Sequence, residues 1–120
     1  RRYLDAGAEN IAHRNALPAF KLKRVVNTME KKLGDDFCLA DLAHQIGMSE
    51  YHFSRLFKRA TGHSPSQYFI KLRMSKARQL LIETERSIID IGMDVGYSSA
   101  SHFSQVFKRE AGVPPSHYRK

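Results

Sequence analysis

Tryptophan is absent from the 120 residues, and there is a single cysteine, Cys38. One thiol cannot close an intrachain disulfide, which fits a reducing compartment, and it cannot complete a thiolate zinc site. Lying between Phe37 and Leu39, Cys38 is expected to be a small core hydrophobe. No apolar run approaches the roughly 18 residues that a membrane span needs. The opening RRYLDAGAEN lacks the apolar segment of a signal peptide, so the default compartment is the cytoplasm. There is no alternating strand pattern, no low-complexity segment and no phosphate-cradling glycine loop. Six histidines, His13, His44, His52, His63, His102 and His117, make no compact metal spacing. Ser, His and Asp all occur, but no nucleophile motif frames them, so the reading is not an enzyme, with no cofactor and no metal.

Acidic residues are scarce relative to basic ones: 12 against 20, a net charge of +8 and a pI near 9.9. An excess of this size favours a polyanionic partner, nucleic acid or an anionic surface, without choosing between them. The hydrophobic fraction of 42% is enough for a core, and the length suits one domain or two small lobes.

What is present is a repeat. GYSSASHFSQVFKREAG at 96–112 echoes GMSEYHFSRLFKRATG at 47–62. The echo continues, since Ser64, Pro65, Ser66 and Tyr68 answer Pro114, Pro115, Ser116 and Tyr118. From His52 and His102 onward the offset is constant. Before the helix it is one residue shorter, with Asp41 and Gly47 answering Asp90 and Gly96, so the second turn holds one extra residue. Two copies of one helical unit are expected.

In chain order, residues 1–17 are mixed and polar and read as a linker or the tail of an upstream domain, with a weak helix around 8–14. Residues 18–120 form the folded part. Pro18 suits the first position of a helix. Leu22, Val25, Val26, Met29 and Leu33 then recur at amphipathic spacing, and Gly34 is expected to stop the helix. Lys21, Lys23, Arg24, Lys31 and Lys32 lie on its outer side. A first helix-turn-helix is read over 37–62, with a short helix over 37–46. Ala43 allows close packing, Gly47 takes the turn, Phe53 locks the second helix down, Ser49 caps it and Gly62 ends it. A connecting helix runs over 64–83 behind Ser64 and Pro65, with Phe69, Leu72, Leu80 and Leu81 apolar and Lys71, Arg73, Lys76 and Arg78 supplying charge. A second helix-turn-helix spans 87–112, with Gly92 and Gly96 in the places of Ala43 and Gly47. A terminal helix covers 114–119. The fold class is therefore all-α, two helix-turn-helix lobes joined by a long connecting helix, about seven helices in all.

The second helix of such a pair is open on one side and fits the major groove. In the first copy Tyr51, Ser54 and Arg55 face outward. Arginine can contact guanine at two atoms, and tyrosine can pack on sugar or a thymine methyl. Ser49, His52, Lys58 and Arg59 suit phosphates. In the second copy Ala100, Ser101, Ser104 and Gln105 take the outward places, with Lys108 and Arg109 for phosphates. Gln105 could read adenine, while the small residues suggest shape-dependent readout. His52 and His102 begin their helices at matching places, for phosphate contact or packing. Phe53, Phe57, Phe103 and Phe107 are core. Helix-turn-helix spacing taken alone is met by many helical pairs; the duplication and basic balance are what favour DNA.

Residues 90–119, DIGMDVGYSSASHFSQVFKREAGVPPSHYR, resemble the signature region of the AraC/XylS bacterial transcription regulators. The match includes Ile91, Gly96, Tyr97, Ser99, Ser101, Phe103, Phe107, Lys108, Gly112, Pro115, Tyr118 and Arg119. With the first copy it covers residues 20–120, the family's whole DNA-binding domain. The resemblance implies two recognition helices in successive major grooves of double-stranded DNA, about 34 Å apart. It assigns base reading to Tyr51, Ser54 and Arg55, and to Ala100, Ser101, His102, Ser104 and Gln105. Tyr51 stands where tryptophan is frequent and Gln105 where a basic residue is frequent, so base preference does not transfer. Gly92 stands where alanine is usual, which is expected to loosen that helix by up to about 1 kcal/mol. The implied partners are DNA, RNA polymerase and an N-terminal effector or dimerisation domain outside this chain. No membrane is implied, and the implied location is the nucleoid. Two alternatives stay open: an interaction module contacting RNA polymerase or a sister domain, and a DNA-repair alkyl-transfer protein using Cys38.

Overall fold

The computed structural model describes residues 16–119. Residues 1–15, including the expected weak helix, lie outside the described residues. Seven α-helices and no strand are found among the described residues: α1 (Ala19–Lys31), α2 (Leu39–Gln45), α3 (Glu50–Thr61), α4 (Pro65–Glu83), α5 (Ile88–Asp94), α6 (Ala100–Ala111) and α7 (Pro115–Tyr118). The all-α expectation holds.

Contacts divide the chain into two units that do not follow the repeat boundaries. Among the described residues, one takes 16–29 together with Cys38–Tyr68; the other takes Glu30–Phe37 and 69–119. The division falls inside α4.

In the first unit, Val25 and Met29 of α1, Leu42 and Ala43 of α2, Ile46, and Phe53 and Phe57 of α3 are buried. The Phe53 and Phe57 rings stand 5.5 Å apart, and Phe57 meets Tyr68 edge-on at 5.3 Å. Leu17 belongs to this packing: it is buried, and its N–H donates to the Leu56 carbonyl at 3.2 Å. In the second unit Met74, Ala77 and Leu81 of α4 pack with Ile91, Val95, Tyr97, Phe103, Val106 and Phe107. Phe103 and Phe107 are 5.9 Å apart, and Phe107 meets Tyr118 edge-on at 5.6 Å. The aromatic ladder of the first unit is therefore rebuilt in the second. The reason is local: phenylalanines four apart fall on one helical face, and the tyrosine arrives on the next helix.

Several local expectations need correcting. Cys38 is exposed, not core: it is the extended residue that precedes α2, and its side chain makes no capping bond. The short helix starts at Leu39, two residues later than expected. Helix α1 starts at Ala19, one residue after Pro18, whose carbonyl accepts from the Leu22 N–H at 2.9 Å. Helix α1 ends at Lys31, before Gly34, and Gly34 is not in the left-handed region. Its smallness serves packing instead, since a Cβ there would lie 3.0 Å from the Asp94 carbonyl oxygen. The terminal helix is four residues, Pro115–Tyr118, one shorter at each end than expected.

Candidate nucleic-acid interface

Each unit presents one twelve-residue helix built the same way. Ser49 caps α3 by accepting from the His52 N–H at 3.1 Å, and Ser99 caps α6 by accepting from the His102 N–H at 3.2 Å. These hydroxyls satisfy N–H groups that the helix itself leaves unpaired. Each helix ends on a left-handed glycine, Gly62 at φ 84° and Gly112 at φ 87°. One side of each helix is sealed by fully buried phenylalanines, so the opposite side must face out.

The turns before these helices match, apart from one residue. Met48 N–H donates to the Ala43 carbonyl at 3.0 Å, and Tyr97 N–H donates to the Gly92 carbonyl at 2.8 Å. Ser98 then intervenes before the Ser99 cap, where Met48 is followed directly by Ser49. The extra residue of the second turn is thus accounted for. Gly92 has a spatial reason beyond the helix: a Cβ on it would lie 3.0 Å from the fully buried Phe103 ring.

Along α3 the outward residues are Tyr51, His52, Arg55, Lys58 and Arg59, all exposed, with Ser54 half-buried at the margin. Tyr51 is 72% exposed, and the Arg55 guanidinium carbon lies 5.7 Å from its ring centroid. The pair is one turn apart, and the stack limits the wandering of a long side chain. Along α6 Ala100, Ser101, His102, Gln105, Lys108 and Arg109 are exposed and Ser104 is half-buried. His102 meets the Tyr97 ring edge-on at 5.2 Å. Apart from the half-buried Ser54 and Ser104, the expected residues within each helix are thus exposed.

The two faces differ electrostatically. Near the end of α6, Glu110 is paired with Lys71 at 3.2 Å and with Arg109 at 3.4 Å. Burial pushes the Glu110 carboxyl up, but hydrogen bonds and charge from Lys71 and then Arg109 outweigh it and hold it below its ordinary value. Glu110 thus offsets part of the positive charge that α6 carries there.

Sequence reading missed two arginines. Arg73, expected only to supply charge, donates from Nε to the Leu33 carbonyl at 2.8 Å and from Nη2 to the Asp35 carbonyl at 2.5 Å. Its guanidinium carbon lies 4.4 Å from the Phe69 ring centroid and 5.3 Å from that of Tyr97. Arg119 donates to the carbonyls of Leu81 and Thr84 at 3.2 and 3.1 Å, closing the C-terminal end of α4. Among the described residues no group of His, Cys, Asp and Glu could hold a metal, and no helix is long and apolar enough to cross a membrane.

A capped, glycine-ended helix locked over a short partner helix, built twice, is the helix-turn-helix class of architecture. Residues 42–120 match the family described as helix-turn-helix domain. The HTH-type transcriptional regulator ArgR of Pseudomonas aeruginosa is 37% identical over 79 residues, which cover 66% of this chain and 24% of ArgR. GbdR of the same species is 39% identical over 79 residues, 66% of this chain and 22% of GbdR. The chain thus spans only 22% to 24% of the length of these two curated relatives. Among solved structures, a transcriptional regulator of the AraC-type DNA-binding-domain class from Chromobacterium violaceum has 37% identity and a TM-score of 0.78, with 82% of this chain and 88% of that chain covered. The DNA-binding domain of AdpA, a global transcriptional factor solved in complex with a target DNA, has 31% identity and a TM-score of 0.76, with 82% and 88% covered. The chain belongs to the AraC family of helix-turn-helix transcriptional regulators. These two curated relatives are transcriptional regulators, not alkyl-transfer proteins.

Proposed function

We propose that this chain binds double-stranded DNA sequence-specifically by laying α3 and α6 into major grooves. The observation that carries the reading is the construction of the two helices. Each is capped by serine, ended by glycine, sealed on one side by buried phenylalanine and open on the other with polar and basic side chains. The net charge of +8 and the likeness to a domain solved with its target DNA support it. Arg55, steadied by Tyr51, carries the main base readout of α3, with Ser54 beside it. Ser49, His52, Lys58 and Arg59 hold phosphates. On α6, Ala100, Ser101, His102, Ser104 and Gln105 face the bases, and Lys108 and Arg109 face the backbone. The regulator is bacterial, with RNA polymerase and a separate effector or dimerisation domain as its further partners.

Selection from a random duplex library at about 150 mM salt, followed by salt titration of the winners, tests this. Two enriched blocks about one helical turn apart are expected. Absence of any enrichment, with binding that salt abolishes, would return the chain to the role of interaction module. One observation favours that second role: Ile89 and Met93, four apart on α5, are each 59% exposed, an apolar pair that a protein partner would cover.

A further inference from the structure

The two turns that launch α3 and α6 are not held alike. A Cβ on Gly47 would meet nothing within 4 Å, whereas one on Gly96 would lie 2.6 Å from Cζ of Arg73. Gly96 sits at φ 99°, and its bare backbone lets the guanidinium lie against the turn. Arg73 is fixed from the other side by the Leu33 and Asp35 carbonyls. Its planar head also lies against the rings of Phe69 and Tyr97. Tyr97 in turn packs edge-on to His102 at 5.2 Å and tilted against Phe103 at 5.8 Å. Both of those residues lie in the first turn of α6, beside Ser101 and one turn below Gln105. The path is continuous: backbone carbonyls, guanidinium, Tyr97, first turn of α6. Lysine would supply the charge without the planar fork or the stack.

We infer that Arg73 is the positioning residue of the second DNA-reading helix: it sets the turn at Gly96–Tyr97 and hence the presentation of Ser101, His102 and Gln105, while leaving α3 untouched. This rests on the reading that α6 contacts DNA. It makes Arg73 a determinant of specificity at bases it does not touch, and it assigns that role to one helix of the pair only.

The test uses the whole chain on a two-block duplex selected by the wild type and on versions with either block scrambled. Arg73→Met and Arg73→Lys are expected to bind the two-block duplex about tenfold more weakly, the size of a lost base-pair match. On the duplex lacking the α6 block they should bind as the wild type does, and they should keep full discrimination at the α3 block. Circular dichroism checks that both stay helical. Tyr97→Leu breaks the same path at its next link, leaves the Arg73 hydrogen bonds in place, and is expected to give the same one-block loss. An equal loss on all duplexes, or no loss on any, overturns the positioning role. If the wild type itself is indifferent to scrambling the α6 block, the readout by α6 fails first and the positioning role falls with it.

Discussion

The guanidinium of Arg73 occupies the space that a side chain on Gly96 would fill. Gly96 and Gly47 share a positive φ, 99° and 70°, but only Gly96 has a neighbour there. Gly47→Ala should therefore cost only the left-handed strain, about 1–2 kcal/mol. Gly96→Ala should cost clearly more. In a Gly96→Ala, Arg73→Ala double variant the two losses should be less than additive, because the first substitution already displaces the arginine. Urea unfolding of the four proteins reads this directly; additive losses would mean that Arg73 moves aside freely.

Gly92→Ala separates helix propensity from packing. Propensity alone predicts a gain of about 1 kcal/mol in the middle of α5. The new methyl would lie 3.0 Å from Phe103, a ring held between Tyr97 and Phe107 with no exposure. A lower unfolding midpoint than the parent protein is expected. A higher midpoint would show that Phe103 shifts at little cost.

On DNA, Arg55→Ala should cost about 1–3 kcal/mol and relax preference at one base pair, while Lys58→Ala should weaken all sequences alike and lower the salt slope by about one. Tyr51→Ala should reproduce part of the Arg55 loss, since it removes the ring against which the guanidinium rests. Fluorescence anisotropy on matched and scrambled duplexes checks all three; equal losses on both duplexes for Arg55→Ala would refute its readout role.

Glu110 links stability to pH. Its folded pKa lies below the ordinary value of 4.5, so its contribution is present above that value and is lost as the pH falls through the lower, folded one. Glu110→Gln should flatten that acid limb and change stability at neutral pH by no more than about 1 kcal/mol, because its partners are solvent-exposed. Melting curves from pH 3 to 7, on the order of one per pH unit, are sufficient to see the difference.

Arg119→Ala should destabilise by about 1–3 kcal/mol, since it leaves the part-buried Leu81 and Thr84 carbonyls short of a donor. Thermal unfolding checks this, and Arg119→Lys should recover only part of the loss.

The repeat, the serine caps and the buried phenylalanines were legible in sequence because each is a short-range rule: residues four apart, or a hydroxyl three before an amide. The outward faces of α3 and α6 followed from the same arithmetic. Arg73 and Arg119 were not legible. Their partners are backbone carbonyls 35 to 40 residues away, and carbonyls leave no letter in the sequence. Gly34 was misread for a related reason: it was judged by its own helix, whereas it answers to an atom of a different element, the Asp94 carbonyl. Cys38 was misread because its apolar neighbours suggested a buried run, and an extended residue ahead of α2 alternates outward instead.

The second unit borrows Glu30–Phe37 from ahead of the first repeat, and Arg73 grips that strap at Leu33 and Asp35. Duplication of the text and partition of the matter are thus out of phase. A fragment starting at Phe69 would hold every letter of the second repeat and still lack the strap. The second repeat is therefore not a cassette: grafting it onto another regulator requires the eight residues of Glu30–Phe37 as well, although they precede the first repeat in the chain.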